Sequence, residues 1–366
     1  MIKIDIIAPS VAIFKKFYRI PNPSDVKYLY WFPVWFYQKE LKKLGLKVRF
    51  LNYFNLNHTK LSNIVGLDSR EPYIIDNYIA IIKKLKKSSK FVIWFDQGDG
   101  PGKTFFPALR YVDRYYKGSY FKDLSLYNQK LYKLNLYSDY YFRNYSIKNY
   151  THKPASDPLD PKYNHKIGLS WNFAYSEYRF SNILSQYVYG FFRYNTLKFN
   201  KPDKNRKLLF SANFNIMMNH LIIYYQRNEL SKFLNKQYKN NENVSIGRVP
   251  KKRFLQNMSN SKAVFSPFGW GELCFRDFET FIAGAALIKP SMEHINTWPD
   301  LYKEYRTYIP IPWKVEEWNK VIPEILSDED LLFKVAKIGQ NLYRKVWSEE
   351  GKKEFCQRFI KMITPN

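Results

Sequence analysis

The residues with the clearest chemical pattern lie in the stretch 264–290, which reads VFSPFGWGELCFRDFETFIAGAALIKP. A predicted strand at Ala263–Ser266 runs into a turn with two glycines, Gly269 and Gly271, and a helix is predicted to start near Glu272. Glycine lets the backbone approach a ligand closely and adopt positive φ angles. Because a helix N-terminus offers unpaired N–H groups to an anion, the pattern predicts a phosphate-binding turn.

Two charged residues of this predicted helix extend the pattern. Arg276 stands about one turn inside the helix, and a guanidinium grips phosphate oxygens in a fork. Glu279 follows three residues later on the same face, where its carboxylate can accept hydrogen bonds from both hydroxyls of a ribose. Phe275, Phe278 and Ile282 fall on another face, predicted to be the core side. This order suits a nucleoside diphosphate; the alternative is an ordinary crossover with an incidental ion pair.

A second candidate region is the loop DQGDGPG, which follows a continuous apolar strand predicted at Phe91–Phe95. Ligands of open α/β sheets bind at the carboxyl ends of the strands, so this loop is expected at the cleft. A carboxylate there can act as the general base that deprotonates an acceptor hydroxyl. Asp99 lies further past the strand end than Asp96 and is the preferred candidate. The alternative is a turn-forming Asp-Gly pair.

Other residues near the predicted turn are weaker candidates. Lys289 and His294 lie at or just after the end of the next strand and could contact a phosphate or the sugar; structural or solvent-facing roles are the alternative. The histidines form no H-x-x-x-H spacing, and Asp96 and Asp99 are too far apart for a D-x-D motif. We therefore expect no metal, with Arg276 and the helix dipole balancing charge on a leaving diphosphate.

The elements that must position these residues alternate between strands and helices. Strands of the first half are predicted at Lys3–Ala8, Lys47–Leu51, Phe91–Phe95 and Ile167–Ser170, and helices at Trp35–Leu44, Ile74–Leu85 and residues 174–194. A polar linker is predicted at Asn195–Lys207. Strands of the second half follow at Leu208–Ser211, Val244–Gly247, Ala263–Ser266, Ala286–Lys289 and Tyr308–Ile311, and helices at Met217–Leu234, Pro250–Ser259 and Leu273–Ala283.

Two such blocks predict an α/β protein with two Rossmann-like, doubly wound domains that face each other across a cleft. The expected boundaries are 1–200 and 201–345, with a final helix at 346–366 that packs back on the first domain. Ser327, with Asp330 three residues on, is expected to cap the helical tail. The length of 366 residues also suits two domains.

Composition limits the class of protein. With 45% hydrophobic residues the chain can build real cores. Its 59 Lys and Arg against 32 Asp and Glu leave a net charge of +27, which favours a polyanionic partner unless codon bias accounts for the lysines. Two cysteines make neither a disulfide framework nor a zinc site. The apolar run Tyr28–Tyr37 is too short to span a membrane. We expect a cytoplasmic protein, with peripheral contact with an anionic membrane as a further possibility.

The pattern S-P-x-G-x-G-E-x-x-x-R-x-x-E-x-x-x-x-G resembles the donor-site signature of GT-B glycosyltransferases, especially the exostosin-like group and bacterial "family 1" polysaccharide enzymes. The resemblance implies that Arg276 contacts the donor diphosphate and that Glu279 holds the ribose, with Gly269, Trp270 and Gly271 forming the turn. It covers residues 205–310 well and residues 91–123 more weakly.

The same resemblance suggests further donor contacts. The G-R-V-P segment, which contains Arg248, matches a loop beside the nucleotide base, and Arg227 matches a helix position facing the phosphates. Glu272 has the spacing of a second glutamate found in family-4-like enzymes, without their E-x-F-G pattern.

The resemblance implies transfer of a sugar from a UDP- or GDP-linked donor to a glycan or lipid-linked acceptor in polysaccharide or glycoconjugate synthesis. The first domain would bind the acceptor and the second the nucleotide sugar, with no cofactor, no metal and no nucleic acid involved. A basic nucleic-acid-binding protein and a noncatalytic GT-B-like module are the alternatives.

Overall fold

The computed structural model describes residues 1–8, 30–31, 33–34, 36–51, 53–145, 147, 158–172, 198–216 and 221–365. Within these ranges the chain forms two parallel sheets, one in each half, joined by a small antiparallel pair of strands. The helix expected over residues 174–194 lies outside the described residues. The predicted α/β class with two doubly wound sheets is confirmed.

The first sheet is built from six strands of the first half. They are β1 (Ile2–Ile7), β2 (Leu46–Leu51), β3 (Ile64–Asp68), β4 (Phe91–Asp96), β5 (Arg114–Lys117) and β7 (Ile167–Leu169), while β6 (Ser119–Phe121) lies outside the sheet. Their order is β2-β1-β3-β4-β5-β7, and all neighbouring strands are parallel. The continuous apolar run of β4 is buried along almost its whole length, as expected for a strand covered on both faces.

Two central strands of this sheet, β3 and β5, were not predicted. In β3 the short run IVGLD contains Gly66, and glycine weakens a strand pattern. The reason for this glycine is tertiary, because a Cβ on Gly66 would lie 2.8 Å from the ring of Phe95 on β4. This contact between β3 and β4 could not be predicted from the local sequence pattern.

The described residues of the first half include four helices with assigned bounds. They are α1 (Gln38–Lys43), α2 (Pro72–Ile75), α3 (Tyr78–Ser88) and α4 (Leu136–Asn144), of which α4 was not predicted. The single helix expected over Ile74–Leu85 is therefore two helices, separated at residues 76–77. Gly45 follows α1 with a φ of +87°, a conformation that glycine adopts at little cost.

The second sheet is built from five strands of the second half. They are β8 (Leu208–Ala212), β9 (Val244–Ile246), β10 (Ser261–Phe265), β11 (Ala286–Pro290) and β13 (Ile309–Ile311). Their order is β13-β11-β10-β8-β9, again entirely parallel. The helices of this half are α5 (Leu221–Tyr238), α6 (Lys251–Asn260) and α7 (Phe275–Ala283). All five predicted strands are confirmed to within two residues at each end.

A short antiparallel pair joins the two halves. Strand β12 (Ile295–Thr297) of the second half pairs with β6 of the first half, so that Asn296 lies opposite Tyr120. A further backbone hydrogen bond between the halves runs from the N–H of Asn172, which follows β7, to the carbonyl of Trp298, at 2.7 Å. Backbone hydrogen bonds thus hold the two halves together beside the cleft.

The tail consists of α8 (Trp318–Ser327), α9 (Glu329–Val346) and α10 (Glu349–Ile363). Asp328, not Ser327, caps α9 by accepting a hydrogen bond from the N–H of Leu331. Helix α10 contacts the first sheet, because the Tyr116 hydroxyl donates to the carbonyl of Met362 and Arg358 donates to that of Leu169. No helix in the described part of the chain is both long and apolar enough to cross a membrane.

Candidate active site in the cleft between the sheets

The two sheets face each other across a cleft of about 520 Å³. The first half contributes Tyr30, Arg70, Gln97, Gly98, Asp99, Gly118, Ser119, Trp171 and Asn172. The second half contributes Arg227, Phe254, Gly269, Trp270, Gly271, Leu273, Cys274, Phe275, Arg276, Phe278 and Glu279. Most of the first set follow the carboxyl ends of β3, β4, β5 and β7, where parallel sheets bind ligands.

The glycine-containing turn lies where it was expected, between β10 and α7, but its glycines serve another purpose. Neither Gly269 nor Gly271 has a positive φ angle. A Cβ on Gly271 would stand 1.2 Å from the carbonyl oxygen of Asp99 in the opposite half. Gly271 is therefore required by the close contact between the two loops, which brings Asp99 next to the turn.

Helix α7 begins at Phe275, two to three residues later than the sequence predicted. The reason is a cap at Cys274, whose N–H donates to the carboxylate of Asp277 at 3.2 Å. Asp277 is fully buried and also accepts hydrogen bonds from Ser266 Oγ at 2.5 Å and Lys289 Nζ at 2.6 Å. These bonds fix the start of the helix, and Arg276 is consequently its second residue.

The position of Lys289 corrects one prediction. Its side chain is fully buried beneath the turn and donates to the carbonyl of Glu272 at 2.7 Å as well as to Asp277. A donor phosphate in the cleft would not reach an ammonium group enclosed in this way. Lys289 stabilises the turn from its buried side, through the bond to Glu272, and does not line the cleft.

Arg227 and Arg276 both line the cleft and influence each other. Burial lowers the pKa of Arg227 to about 10, and the positive charge of Arg276 acts in the same direction. Arg227 donates from Nε to the carbonyl of Phe268 at 2.8 Å and from Nη1 to that of Asn215 at 2.7 Å. Arg276 makes a long contact from Nη1 to Ser266 Oγ, at 3.4 Å, and its guanidinium lies over the ring of Phe214, 5.7 Å from the ring centre. Two neighbouring guanidinium groups favour an anion between them.

Glu279 lies one turn beyond Arg276 on α7, and both line the cleft. The predicted core face of this helix was wrong in part. Phe278 and Phe281 are buried, whereas Phe275 and Ile282 are only half-buried. Phe275 is the first residue of the helix and lines the cleft.

Further predicted donor residues occupy different surroundings. Glu272 is fully buried, and its Oε1 lies 3.1 Å from Nε2 of His294. The His294 ring packs edge-on against Trp313, with the ring centres 5.0 Å apart. Arg248 is exposed and lies outside the residues that line the cleft. Trp270 is 56% exposed and does line it.

The two candidate bases, Asp96 and Asp99, differ in how far they are buried. Asp96 is fully buried and accepts hydrogen bonds from the Tyr115 hydroxyl at 2.5 Å, Lys117 Nζ at 3.2 Å and the N–H of Gly98 at 2.7 Å. This enclosed carboxylate cannot meet a substrate, so the structure contradicts a catalytic role for Asp96. Asp99 lines the cleft with about half of its side chain exposed.

Arg70 also lines the cleft, although its sequence position did not predict this. It donates from Nη2 to Oδ1 of Asp99 and from Nε to the carbonyl of Gln97. Arg70 follows β3, which was itself unpredicted, so the rule that ligands bind at strand ends could not be applied to it. The ion pair directs the Asp99 side chain and leaves Oδ2 for a further partner.

No group of three or more His, Cys, Asp or Glu side chains that could hold a metal ion occurs among the residues the structure describes.

Two doubly wound sheets meeting at a cleft define the GT-B fold, and this chain has that fold. It is similar to the Anabaena protein HepE, solved in complex with UDP and glucose, with 8% sequence identity, 99% of each chain covered and a TM-score of 0.50. A Rickettsia africae glycosyltransferase gives 12% identity, coverage of 100% and 99%, and a TM-score of 0.44. A Thermosynechococcus elongatus sucrose-phosphate synthase gives 9%, 99% of each chain and 0.44. No protein-family model and no curated protein matches the chain.

Proposed function

We propose that this protein is a glycosyltransferase that moves a sugar from a nucleoside-diphosphate donor to a hydroxyl group of an acceptor. The observation that carries the proposal is the pair Arg227 and Arg276, which line the cleft at the N-terminus of α7. Placing two like charges together costs free energy unless an anion compensates them. A helix N-terminus favours an anion at the same place, and a diphosphate meets both requirements.

The rest of the donor fits the same helix. Glu279, one turn after Arg276, would accept hydrogen bonds from the two ribose hydroxyls. The HepE structure contains UDP, and UDP is therefore the first nucleotide to test on this chain, followed by GDP. Arg248 stays a candidate for the base end only if the loop that carries it moves toward the cleft.

The chemistry would be a direct displacement. The acceptor hydroxyl oxygen forms a bond to the anomeric carbon while the bond from that carbon to the diphosphate oxygen breaks. The hydroxyl proton passes to Oδ2 of Asp99, since Oδ1 is held by Arg70. The nucleoside diphosphate leaves with its charge balanced by Arg227, Arg276 and the helix N-terminus, so we propose that no metal is needed.

A glycan or lipid-linked sugar is the proposed acceptor. The wall of the first half combines the stacked rings of Tyr30 and Trp171, whose centres lie 4.6 Å apart, with the polar side chains of Ser119 and Asn172. Apolar faces next to hydrogen-bonding groups suit a sugar ring. We propose a cytoplasmic enzyme, and its net charge of +27 supports work beside anionic lipid headgroups.

Calorimetric titration with UDP and GDP tests the donor site. Replacing Arg276 by alanine should weaken the better nucleotide roughly 10- to 150-fold, because a hydrogen bond to a charged group contributes about 1.5–3 kcal/mol. Glu279→Gln should weaken nucleotides and spare inorganic pyrophosphate, which has no ribose.

The matched control is Arg306→Ala, the same substitution at an exposed arginine of the second half outside the cleft. It should leave the affinity unchanged. If Arg276→Ala and Glu279→Gln both bind nucleotides like the unsubstituted protein while remaining folded, the donor site is not here. A protein that binds the nucleotide but transfers no sugar would be a noncatalytic module.

A further inference from the structure

Helix α4 of the first half contacts the glycine-containing turn of the second half. The hydroxyl of Tyr137 on α4 donates to the carbonyl oxygen of Gly269 at 2.8 Å, and both groups are buried. The Tyr137 ring packs against Phe268, with ring centres 4.9 Å apart. A residue from the acceptor half thus holds the backbone of the predicted phosphate turn.

The backbone of the preceding residue, Phe268, is held in a similar way. The N–H of Phe268 donates to Oε1 of Gln226 on α5 at 2.9 Å. The other end of Gln226 donates from Nε2 to the hydroxyl of Tyr141 on α4, at 3.1 Å. Gln226 is 1% exposed, and its amide connects α4 to the turn.

These bonds bear on the ligand because Arg227 is bonded to the same residue of the turn. Its Nε donates to the carbonyl of Phe268, so the Phe268 backbone is held at its N–H by Gln226 and at its C=O by Arg227. Nη2 of Arg227 lies beside Gly269, 3.4 Å from where a Cβ on that glycine would stand. A shift of the turn would therefore move the guanidinium that faces the cleft.

We propose that Tyr137 and Gln226 are positioning residues, which hold the Phe268–Gly269 backbone so that Arg227 meets the donor diphosphate. The inference rests on the proposed function. It goes further by making the donor site dependent on a helix of the acceptor half. Loss of the Tyr137 hydroxyl leaves a buried carbonyl without its donor, and such a group costs more than the bond itself contributes. The turn would relax to satisfy it.

The test compares Tyr137→Phe with Tyr116→Phe by calorimetry. Tyr116→Phe is the matched control, because it removes another buried hydroxyl-to-carbonyl bond, to Met362, away from the cleft. Tyr137→Phe should weaken UDP about tenfold, as expected for one buried hydrogen bond. Uridine, measured by competition, should bind as before, since it has no diphosphate for Arg227. Both variants should have similar melting temperatures.

Gln226→Met is the second variant, and it should also lower the preference for UDP over uridine. The double variant should lose less binding free energy for UDP than the sum of the two single losses, because both side chains hold the same peptide segment. Equal affinity of Tyr137→Phe and the unsubstituted protein for UDP would overturn the inference, as would an equal loss for UDP and uridine. If the unsubstituted protein binds no nucleoside diphosphate, the proposed function itself fails, and that result is distinct from either.

Discussion

Asp99 and Arg70 lie in the first half, across the cleft from Arg227 and Arg276, and their ion pair shapes the chemistry we expect. A carboxylate held by a guanidinium on one oxygen keeps a fixed direction. The ion pair therefore also restricts the orientation of the second carboxylate oxygen, Oδ2. This arrangement suits a base that must meet an acceptor hydroxyl at a fixed angle.

Asp99→Asn should lower turnover about 10²-fold or more, because an amide cannot take up the acceptor proton. The affinity for UDP should stay the same, since Asp99 lies opposite the arginines. The measurement is the initial rate of UDP release with the donor and acceptor identified by screening, together with calorimetry. Asp300→Asn serves as the control, at a mostly exposed aspartate outside the cleft. Unchanged turnover in Asp99→Asn would leave Asp99 a turn residue.

At the scale of elements, two loops from different halves meet without side chains between them. The turn before α7 and the loop after β4 approach so closely that Gly271 faces the backbone of Asp99 and Gly100. Each loop therefore sets the position of the other. The geometry of the proposed donor site and that of the proposed base are therefore coupled through backbone contact.

Gly271→Ala should lower the free energy of unfolding by about 1–3 kcal/mol, the usual range for overpacking. The added methyl would overlap the Asp99 carbonyl oxygen, and the two loops must move apart. Gly269→Ala, two residues earlier, is the comparison, since its Cβ would meet Cys274 Sγ and Arg227 Nη2 at the milder distances of 3.3 and 3.4 Å. Urea unfolding of both variants measures the difference. A smaller loss at Gly271 than at Gly269 would contradict the packing argument.

At the scale of the whole molecule, a buried carboxylate behind the cleft links stability to pH. Asp68, the last residue of β3, accepts hydrogen bonds from Trp31 Nε1 at 2.7 Å and from Gln97 Nε2 at 2.5 Å. Burial raises the pKa of Asp68 from 3.8 to about 7, and the backbone hydrogen bond from Arg70 opposes that shift. The folded protein therefore favours the protonated form of Asp68.

The contribution of Asp68 to stability should be fully present below about pH 4 and lost as the pH rises through about 7. A shift of about three pKa units corresponds to about 4 kcal/mol. The amide introduced by Asp68→Asn cannot ionise, so the stability of this variant relative to the unsubstituted protein should increase over this pH interval. This difference in the free energy of unfolding is measured by urea unfolding of both proteins at the ends of the interval, at about pH 4.5 and about pH 7.5. A constant difference between them would show that Asp68 does not titrate in this range.

Much of the fold followed from the sequence alone, because strand and helix periods are local properties. The apolar strand β4 and the five strands of the second sheet depend on neighbouring residues, and they were predicted to within two residues at each end. The short strand β12 was not predicted. The turn before α7 and the positions of Arg276 and Glu279 on one helix followed from spacing. The strand β3 was missed, because it is only five residues long and Gly66 interrupts its apolar run.

Tertiary structure decided which polar groups can meet a ligand. Asp96 and Asp99 are three residues apart in similar sequence, yet β5 encloses Asp96 with Tyr115 and Lys117, while Asp99 reaches the cleft. Lys289 is likewise enclosed by Asp277 under the turn. Arg227 lies close enough to Arg276 for their charges to interact, and Tyr137 donates a hydrogen bond to Gly269. Both contacts join segments that are far apart in the chain. The burial of a side chain and the charges beside it depend on contacts between distant segments, and a local sequence pattern does not specify those contacts.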